Sequence, residues 1–147
     1  MMAAEYSENV RDAVRTYKSA LLDLEDAYET AAGLHAVDYT KPRVQVSPRC
    51  DTMAEAVQRI DGMVARLAEE VTRYAEVVEE YDKCLLLMNK VSASVLRAHY
   101  VRTEPWSSIA DRLGYAPGYI RGNVRESALV ELYEVMPAEW RVPPAER

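Results

Sequence analysis

One long apolar repeat constrains the fold more than any other feature of this sequence. From Met53 to Met88, an apolar or tyrosine side chain recurs at spacings that alternate between four and three residues, with no internal proline. This heptad pattern is typical of a helix that buries one stripe against another helix. At 1.5 Å per residue it would extend roughly 50 Å, too long for a compact globule unless a second long helix lies beside it. The repeat positions are Met53, Val57, Ile60, Val64, Leu67, Val71, Tyr74, Val78, Tyr81, Leu85 and Met88.

An earlier stretch, residues 5–32, supplies a partner helix with the same alternation. Gly33 is placed to end this helix through a left-handed cap, and residues 34–51 read as a loop because they contain two prolines. Thr52 and Glu55 have the spacing of a capping box that begins the long helix. The loop allows the chain to reverse, so we predict an antiparallel helical hairpin, with association between chains as the alternative. The seam of the first helix is Val10, Val14, Tyr17, Leu21, Leu24, Tyr28 and Ala31.

The heptad pattern stops near Lys90, and three short helices are predicted after it, over residues 92–100, 105–113 and 117–136. Gly114 follows the second of these helices, and Pro117 opens the third only three residues later. Two helices joined by a tight glycine-containing turn form a helix-turn-helix, whose second helix can enter a major groove. The shared core is predicted to contain Val95, Leu96, Trp106, Ile109, Ala110, Leu113, Ile120, Val124, Ala128 and Leu132.

These patterns together predict an all-α protein. A long antiparallel, coiled-coil-like helical hairpin forms an oligomerisation arm over residues 1–90. A helix-turn-helix module of three helices follows over residues 91–136, and residues 137–147 form a C-terminal tail.

Charge and apolar content restrict the classes of function. The chain carries 18 Lys and Arg against 24 Asp and Glu, a net charge of -6, which argues against an indiscriminate polyanion binder. The longest purely apolar run, residues 84–88, is far shorter than a membrane span, so we expect no membrane partner and a location in the cytoplasm of a bacterial host cell. The two cysteines lack metal-site spacing and are expected to be reduced thiols.

Enzymatic motifs are missing from the sequence. It contains no Gly-rich phosphate loop, no HExxH and no nucleophile elbow, and His35 and His99 are its only histidines. Acidic clusters occur along both long helices, but they flank the seams and are expected to be solvated. We therefore expect no enzyme, no catalytic residue, no cofactor and no metal.

The C-terminal module resembles a known family. The segments Val95–Val101, Trp106–Tyr115 and Ala128–Leu132 resemble the sigma-factor region that grips the upstream promoter hexamer, and more closely the phage-encoded regulators of the RinA and ArpU type. The loop at residues 44–48 and the start of the long helix are also similar to these phage proteins, so the resemblance covers roughly residues 40–133. It implies a phage or prophage transcriptional regulator that binds double-stranded DNA, acting at promoters with RNA polymerase.

Such a module implies a set of DNA-contacting residues. Arg121 and Arg125 would project from the reading helix, one toward guanine and the other toward phosphate, and Asn123 would read adenine. Tyr119 and the backbone near Gly118 would hold a phosphate at the helix N-terminus. The expected flanking backbone contacts are Arg102 and Arg112. The alternative is that these arginines solubilise the surface or pair with Asp111, Glu126 and Glu131.

The module carries few surplus positive charges, which restricts its affinity. Five arginines face four acidic residues between residues 97 and 131, so a single chain should bind DNA weakly. We therefore expect a homo-oligomer, or binding together with RNA polymerase. Two other functions fit the same architecture. One is a small terminase-like subunit that recognises DNA for packaging, and the other is a helical protein-interaction adaptor without DNA binding.

Overall fold

The computed structural model describes residues 2–35 and 49–142, with side chains described for residues 2–32 and 53–142. The described residues are helical or lie in turns, with no strand among them, so the all-α prediction is confirmed. No helix in this described part combines the length and the apolarity that a membrane span requires. The helices are α1 (Met2–His35), α2 (Arg49–Leu86), α3 (Lys90–Leu96, continued by the π-helical turn Arg97–Val101), α4 (Trp106–Leu113) and α5 (Pro117–Tyr119, the π-helical turn Ile120–Val124, then Arg125–Val135). The short 3-10 turn Ala138–Arg141 follows.

The ends of the two long helices differ from the prediction. Helix α1 continues to His35, so Gly33 lies inside it and is not its cap. Helix α2 begins at Arg49, so the predicted capping box at Thr52 is wrong because Thr52 is already helical. Most of the predicted loop, residues 36–48, lies outside the described residues.

In each long helix, part of the predicted seam is exposed to solvent. The residues one position before that part face inward instead. In α2, Val57, Val64 and Val71 are 53%, 44% and 41% exposed, and the half-buried positions one residue earlier are Ala56, Met63 and Glu70. In α1, Val14 is buried as predicted, but Tyr28 is 55% exposed, and the row Ala13, Ala20 and Ala27 is buried beside it. Alanine lets helices approach closely but contributes little to a hydrophobicity pattern. The larger apolar residues next to these alanines were therefore predicted to form the seam.

Packing divides the chain into two compact units. The first comprises α1 up to Val14 together with the chain from Arg73 onward, and the second comprises Arg15–Thr72. The predicted domain division after residue 90 lies at the start of α3, where Asn89 Oδ1 accepts a hydrogen bond from the Val91 amide at 2.9 Å. This division stays a prediction.

A buried tyrosine pair lies at the centre of the first unit. The rings of Tyr6 and Tyr81 meet edge to face with centroids 5.6 Å apart, and both are almost fully buried. Their hydroxyls are satisfied, since Tyr6 donates to Glu80 Oε1 at 2.9 Å and Tyr81 shares a 3.0 Å hydrogen bond with Ser7. This pair belongs to a cluster that joins the start of α1 and the end of α2 to α3 and α5. The cluster includes Ala3, Val10, Leu85, Leu96, Tyr100, Ala128, Leu129, Leu132 and Met136.

A second cluster holds α3, α4 and the first half of α5 together. Its buried members are Val95, Ala98, Ile109, Ala110 and Ile120, with Trp106, Leu113 and Val124 packed against them. The predicted shared core is therefore correct for these residues. Leu96, Ala128 and Leu132 belong instead to the tyrosine-centred cluster, where they pack with residues of α1 and α2.

The turn between α4 and α5 depends on a left-handed glycine. Gly114 has φ 76° and ψ 24°, and its amide donates to the Ala110 carbonyl at the end of α4. Pro117 is the first residue of α5, as predicted, whereas Pro105 precedes the first residue of α4 by one position. These residues make the connection short and fix where each helix ends.

We expect Gly114→Ala to lower the free energy of unfolding by about 1–2 kcal/mol, because a side chain disfavours the left-handed backbone. An added Cβ meets no atom within 4 Å there, so the cost comes from the backbone alone. Gly122→Ala is the matched control: its Cβ also meets nothing within 4 Å, but Gly122 is helical, so stability should rise by about 0.5–1 kcal/mol. Chemical denaturation followed by circular dichroism measures both changes. Equal effects of the two substitutions would contradict the assignment.

Candidate nucleic-acid interface

The first half of α5 presents a polar outer surface. Ile120 is fully buried in the second cluster and anchors this part of the helix, while Gly118, Tyr119, Arg121 and Asn123 around it are exposed. The structure thus brings together four of the seven residues predicted to contact DNA. Because Ile120 fixes the rotation of the helix, these four residues are distributed over the part of its circumference that is exposed to solvent.

An aromatic pair borders this surface at the turn. Tyr115 and Tyr119 are 49% and 46% exposed, and their ring centroids lie 5.5 Å apart. Two large half-exposed rings side by side offer apolar contact area with hydroxyl groups at its edge. Tyr115 was not among the residues predicted to contact DNA, although its position directly after Gly114 places it beside α5.

Arg102 and Arg112, the two predicted flanking contacts, are not both available beside the exposed surface of α5. Arg112 is exposed, but its Nη1 lies 3.1 Å from Glu104 Oε1 in an ion pair. Arg102 is exposed and lines a different depression of about 630 Å³, which Lys90, Arg97 and Asp82 also line. The expected flanking contacts therefore lie in two separate places.

Arg125 is half-buried, in contrast to the expectation that it projects from the reading helix. Its Nε donates a hydrogen bond to the Tyr100 hydroxyl at 3.2 Å. Tyr100 is itself fully buried in the tyrosine-centred cluster. This contact ties the guanidinium to the protein interior and limits its reach toward a base.

Three arginines converge on a small cavity beside α5. Arg11, Arg121 and Arg125 line this cavity of about 270 Å³, together with Glu8, Tyr100, His99 and Trp106. Arg11 Nε is buried and has no hydrogen-bond partner in the described part of the chain, and its Nη1 lies 3.8 Å from Glu8. The sequence analysis missed Arg11 because it lies on α1, far from the module in sequence. The cavity carries more positive than negative side chains and suits an anion such as a phosphate group.

His99 forms the aromatic wall of this cavity. Its ring stacks on Trp106 with centroids 3.7 Å apart, and its Nδ1 lies 2.9 Å from the Glu104 carbonyl oxygen, which fits donation from the neutral ring. Burial lowers the pKa of His99, and the nearby Arg11 and Arg125 lower it further, against the opposing effects of the Glu104 carbonyl and Glu8. The positive charge beside α5 therefore comes from the arginines and not from His99.

The side chains described by the structure form no candidate metal site. Within residues 2–32 and 53–142, no three His, Cys, Asp or Glu side chains group together as metal ligands. Cys84, the free cysteine described, is buried, and that burial raises the pKa of its thiol.

No protein-family model, no curated protein and no solved structure matches this chain. Its function is therefore inferred from its own residues and their arrangement.

We expect the stability of the protein to fall as the pH drops below about 6.5, the ordinary pKa of histidine, and His99 to cause part of that fall. Its folded-state pKa is lowered, so the stabilising contribution is present above this pH and is lost as the unfolded chain gains a proton that the folded chain resists. The measurement is urea unfolding between pH 7.5 and 5.5 for the native chain and for His99→Gln. Identical pH dependence of the two chains would contradict a buried neutral His99.

Proposed function

We propose that this protein binds double-stranded DNA through a helix-turn-helix formed by α4, the turn at Gly114 and α5. In the same proposal α1 and α2 form the antiparallel hairpin arm, and the protein is a transcriptional regulator of the phage-encoded RinA or ArpU type. The observation that carries the proposal is the exposed row Gly118, Tyr119, Arg121 and Asn123, which stands on a helix anchored by buried Ile120 directly after a left-handed turn. That combination holds polar side chains outward on a rigid support.

The exposed row suggests a division of roles. Arg121 is exposed and can pair bidentately with guanine, and Asn123 can do so with adenine. Tyr119 and the backbone near Gly118 contact a phosphate at the start of α5. Arg11, from the arginine-lined cavity, adds a phosphate contact that no sequence pattern indicated.

Arg125 receives a different role in this proposal. Because it donates to buried Tyr100, it positions α5 against the module and does not read a base. Arg112, paired with Glu104, and Arg102 are left as outer phosphate contacts of modest strength. Base reading then rests on Arg121 and Asn123.

The small number of unpaired positive side chains in the module is the reason for proposing a homo-oligomer. Several arginines of the module are engaged within the protein, and the whole chain has a net charge of -6. A single module would neutralise few phosphates, so we propose that the protein reaches DNA as a homo-oligomer, alone or with RNA polymerase.

An interaction adaptor without DNA contact is the second candidate, and the same engaged arginines favour it. Arg97 pairs with Asp82 at 2.9 Å and Arg112 with Glu104, so two of the module's positive charges are neutralised within the protein. An adaptor would retain no duplex at low salt, whereas a DNA-binding protein would.

Selection of bound duplexes from a random pool tests the proposal. We expect enrichment of a defined sequence, and we expect Arg121→Ala to cost about 1–3 kcal/mol of binding and to relax one base position. Arg125→Ala is the control on the same helix: it should weaken all sequences alike through the lost Tyr100 contact. Arg59→Ala removes an equal charge from an exposed site on α2 and should change neither affinity nor sequence preference.

No enrichment of any duplex would overturn the proposal in favour of the adaptor. A relaxed base position in Arg125→Ala, with Arg121→Ala unchanged, would show that the two arginines have exchanged the roles assigned above.

A further inference from the structure

The second compact unit leaves one apolar side uncovered. Val57, Val64 and Val71 form a row on α2 with a constant spacing of seven residues, and they are 53%, 44% and 41% exposed. Half-buried Leu21 and 55% exposed Tyr28, also seven residues apart, form the corresponding row on α1. We call these five residues the apolar flank.

An ion pair shows that both rows lie on one side of the unit. On each helix, the valine row or the row of Leu21 and Tyr28 lies on one side of the inward-facing residues, and Arg66 or Asp23 lies on the other side. Arg66 and Asp23 form an ion pair, with Arg66 Nη1 3.2 Å from Asp23 Oδ2. Since these two side chains share one side of the helix pair, the valine row and the row of Leu21 and Tyr28 share the other. One side is therefore charged and paired, and the other is apolar.

Few of the apolar side chains that the structure describes are fully buried inside this unit. Among its described side chains, the buried apolar ones are Ala20 and Ala27, which remove little surface from water. The larger apolar side chains of the inward-facing rows, such as Ile60, Met63 and Leu67, are half-buried, and most of those on the flank are more exposed still. Exposed valine is also a poorer helix former than alanine, so three such residues on one helix face weaken α2 unless something buries them.

The heptad positions of the flank are those of a helical bundle. In a two-stranded coiled coil, apolar residues are confined to two of the seven positions. In α2 they occupy the two inward-facing rows, apart from Glu70, and also the valine row next to them. Apolar residues at three adjacent positions of the heptad are typical of helices that pack against more than one neighbour.

We propose that a second copy of this chain packs its apolar flank against the first, so that two hairpin arms form a four-helix bundle. Two copies have the same seven-residue period, so their rows interlock in register, and a two-fold axis places the same patch on both partners. Charges of both signs border the flank: Lys18 on α1 is positive, whereas Glu25 on α1 and Asp61 on α2 are negative, so pairs of opposite sign can form between two copies.

The area of the flank is that of a weak dimer. The exposed parts of its side chains amount to roughly 400 Å² per chain, and two facing copies would bury roughly 800 Å² before bordering alanines such as Ala54 and Ala68 are counted. Specific interfaces begin at about 1,000 Å² in total, so the flank alone falls just short of this size, and a dimer formed by the flank and its bordering residues would be weak. This inference deepens the homo-oligomer proposed above, but it does not depend on DNA binding.

The first test measures mass in solution without DNA. Sedimentation equilibrium over a range of protein concentrations should give a dimer for the native chain, and Val64→Asp should weaken dimerisation roughly 100-fold or more because it places a charge inside the interface. The matched control is Val130→Asp, at a valine of α5 that is 56% exposed and lies outside the flank. It should leave the dimer intact.

A second test separates loss of the dimer from loss of folding. In a monomer with a solvated flank, the triple variant Val57→Ala, Val64→Ala and Val71→Ala should become more helical and more stable, because alanine is the better helix former. In the proposed dimer the same variant loses interface contacts, so its mass should fall toward one chain and its melting temperature should fall with it. The two accounts therefore predict changes of opposite sign.

A native chain that stays monomeric at every concentration would overturn the proposal, and so would a Val64→Asp variant that dimerises like the native chain. Equal disruption by Val130→Asp would place the interface elsewhere and would also overturn it. Because no nucleic acid enters these experiments, failure of the dimer and failure of the DNA-binding proposal are distinguishable.

Discussion

The contact between Tyr6 and Tyr81 is the interaction on which the first compact unit depends. It joins the start of α1 to the end of α2, and the surface around it receives Leu96 from α3 and Leu132 from α5. Burial raises the pKa of both tyrosines, so the two hydroxyls stay neutral and serve as hydrogen-bonding groups for Ser7 and Glu80. A short helical module has too little interior to be rigid alone, and this cluster supplies the interior that fixes the second half of α5.

Because the second half of α5 is held by this cluster, the first half can expose polar side chains in fixed positions. Ile120 turns one side of the helix inward, and the Gly114 turn sets where the helix begins, so Arg121 and Asn123 face outward. The same packing holds Arg125 against Tyr100, and ion pairs to Asp82 and Glu104 neutralise Arg97 and Arg112. Low charge in the module and an uncovered valine row in the other unit lead to one conclusion: both proposals require more than one chain.

Some of this structure is predictable from the sequence, and the reason differs from element to element. The short helices and their turn follow from Pro117 and Gly114, residues whose backbone preferences are strong and local. The phase of the long helices does not follow, because alanines such as Ala20 and Ala27 carry little hydrophobic signal although they form the buried row. The outward placement of Arg121 and Asn123 was expected from the resemblance to sigma-factor-like modules. The engagement of Arg125 by Tyr100 and the arrival of Arg11 from α1 depend on tertiary contacts that no local pattern contains.

The central claim is that the first half of α5 meets the bases of DNA. The most direct measurement is a two-dimensional amide NMR titration of the full-length protein with a duplex obtained by selection. The account predicts that the largest shift changes occur at Gly118, Tyr119, Arg121 and Asn123 and at the side-chain amide of Asn123, with small changes along the second half of α5. Largest changes elsewhere in the chain, with residues 117–123 unaffected, would contradict it.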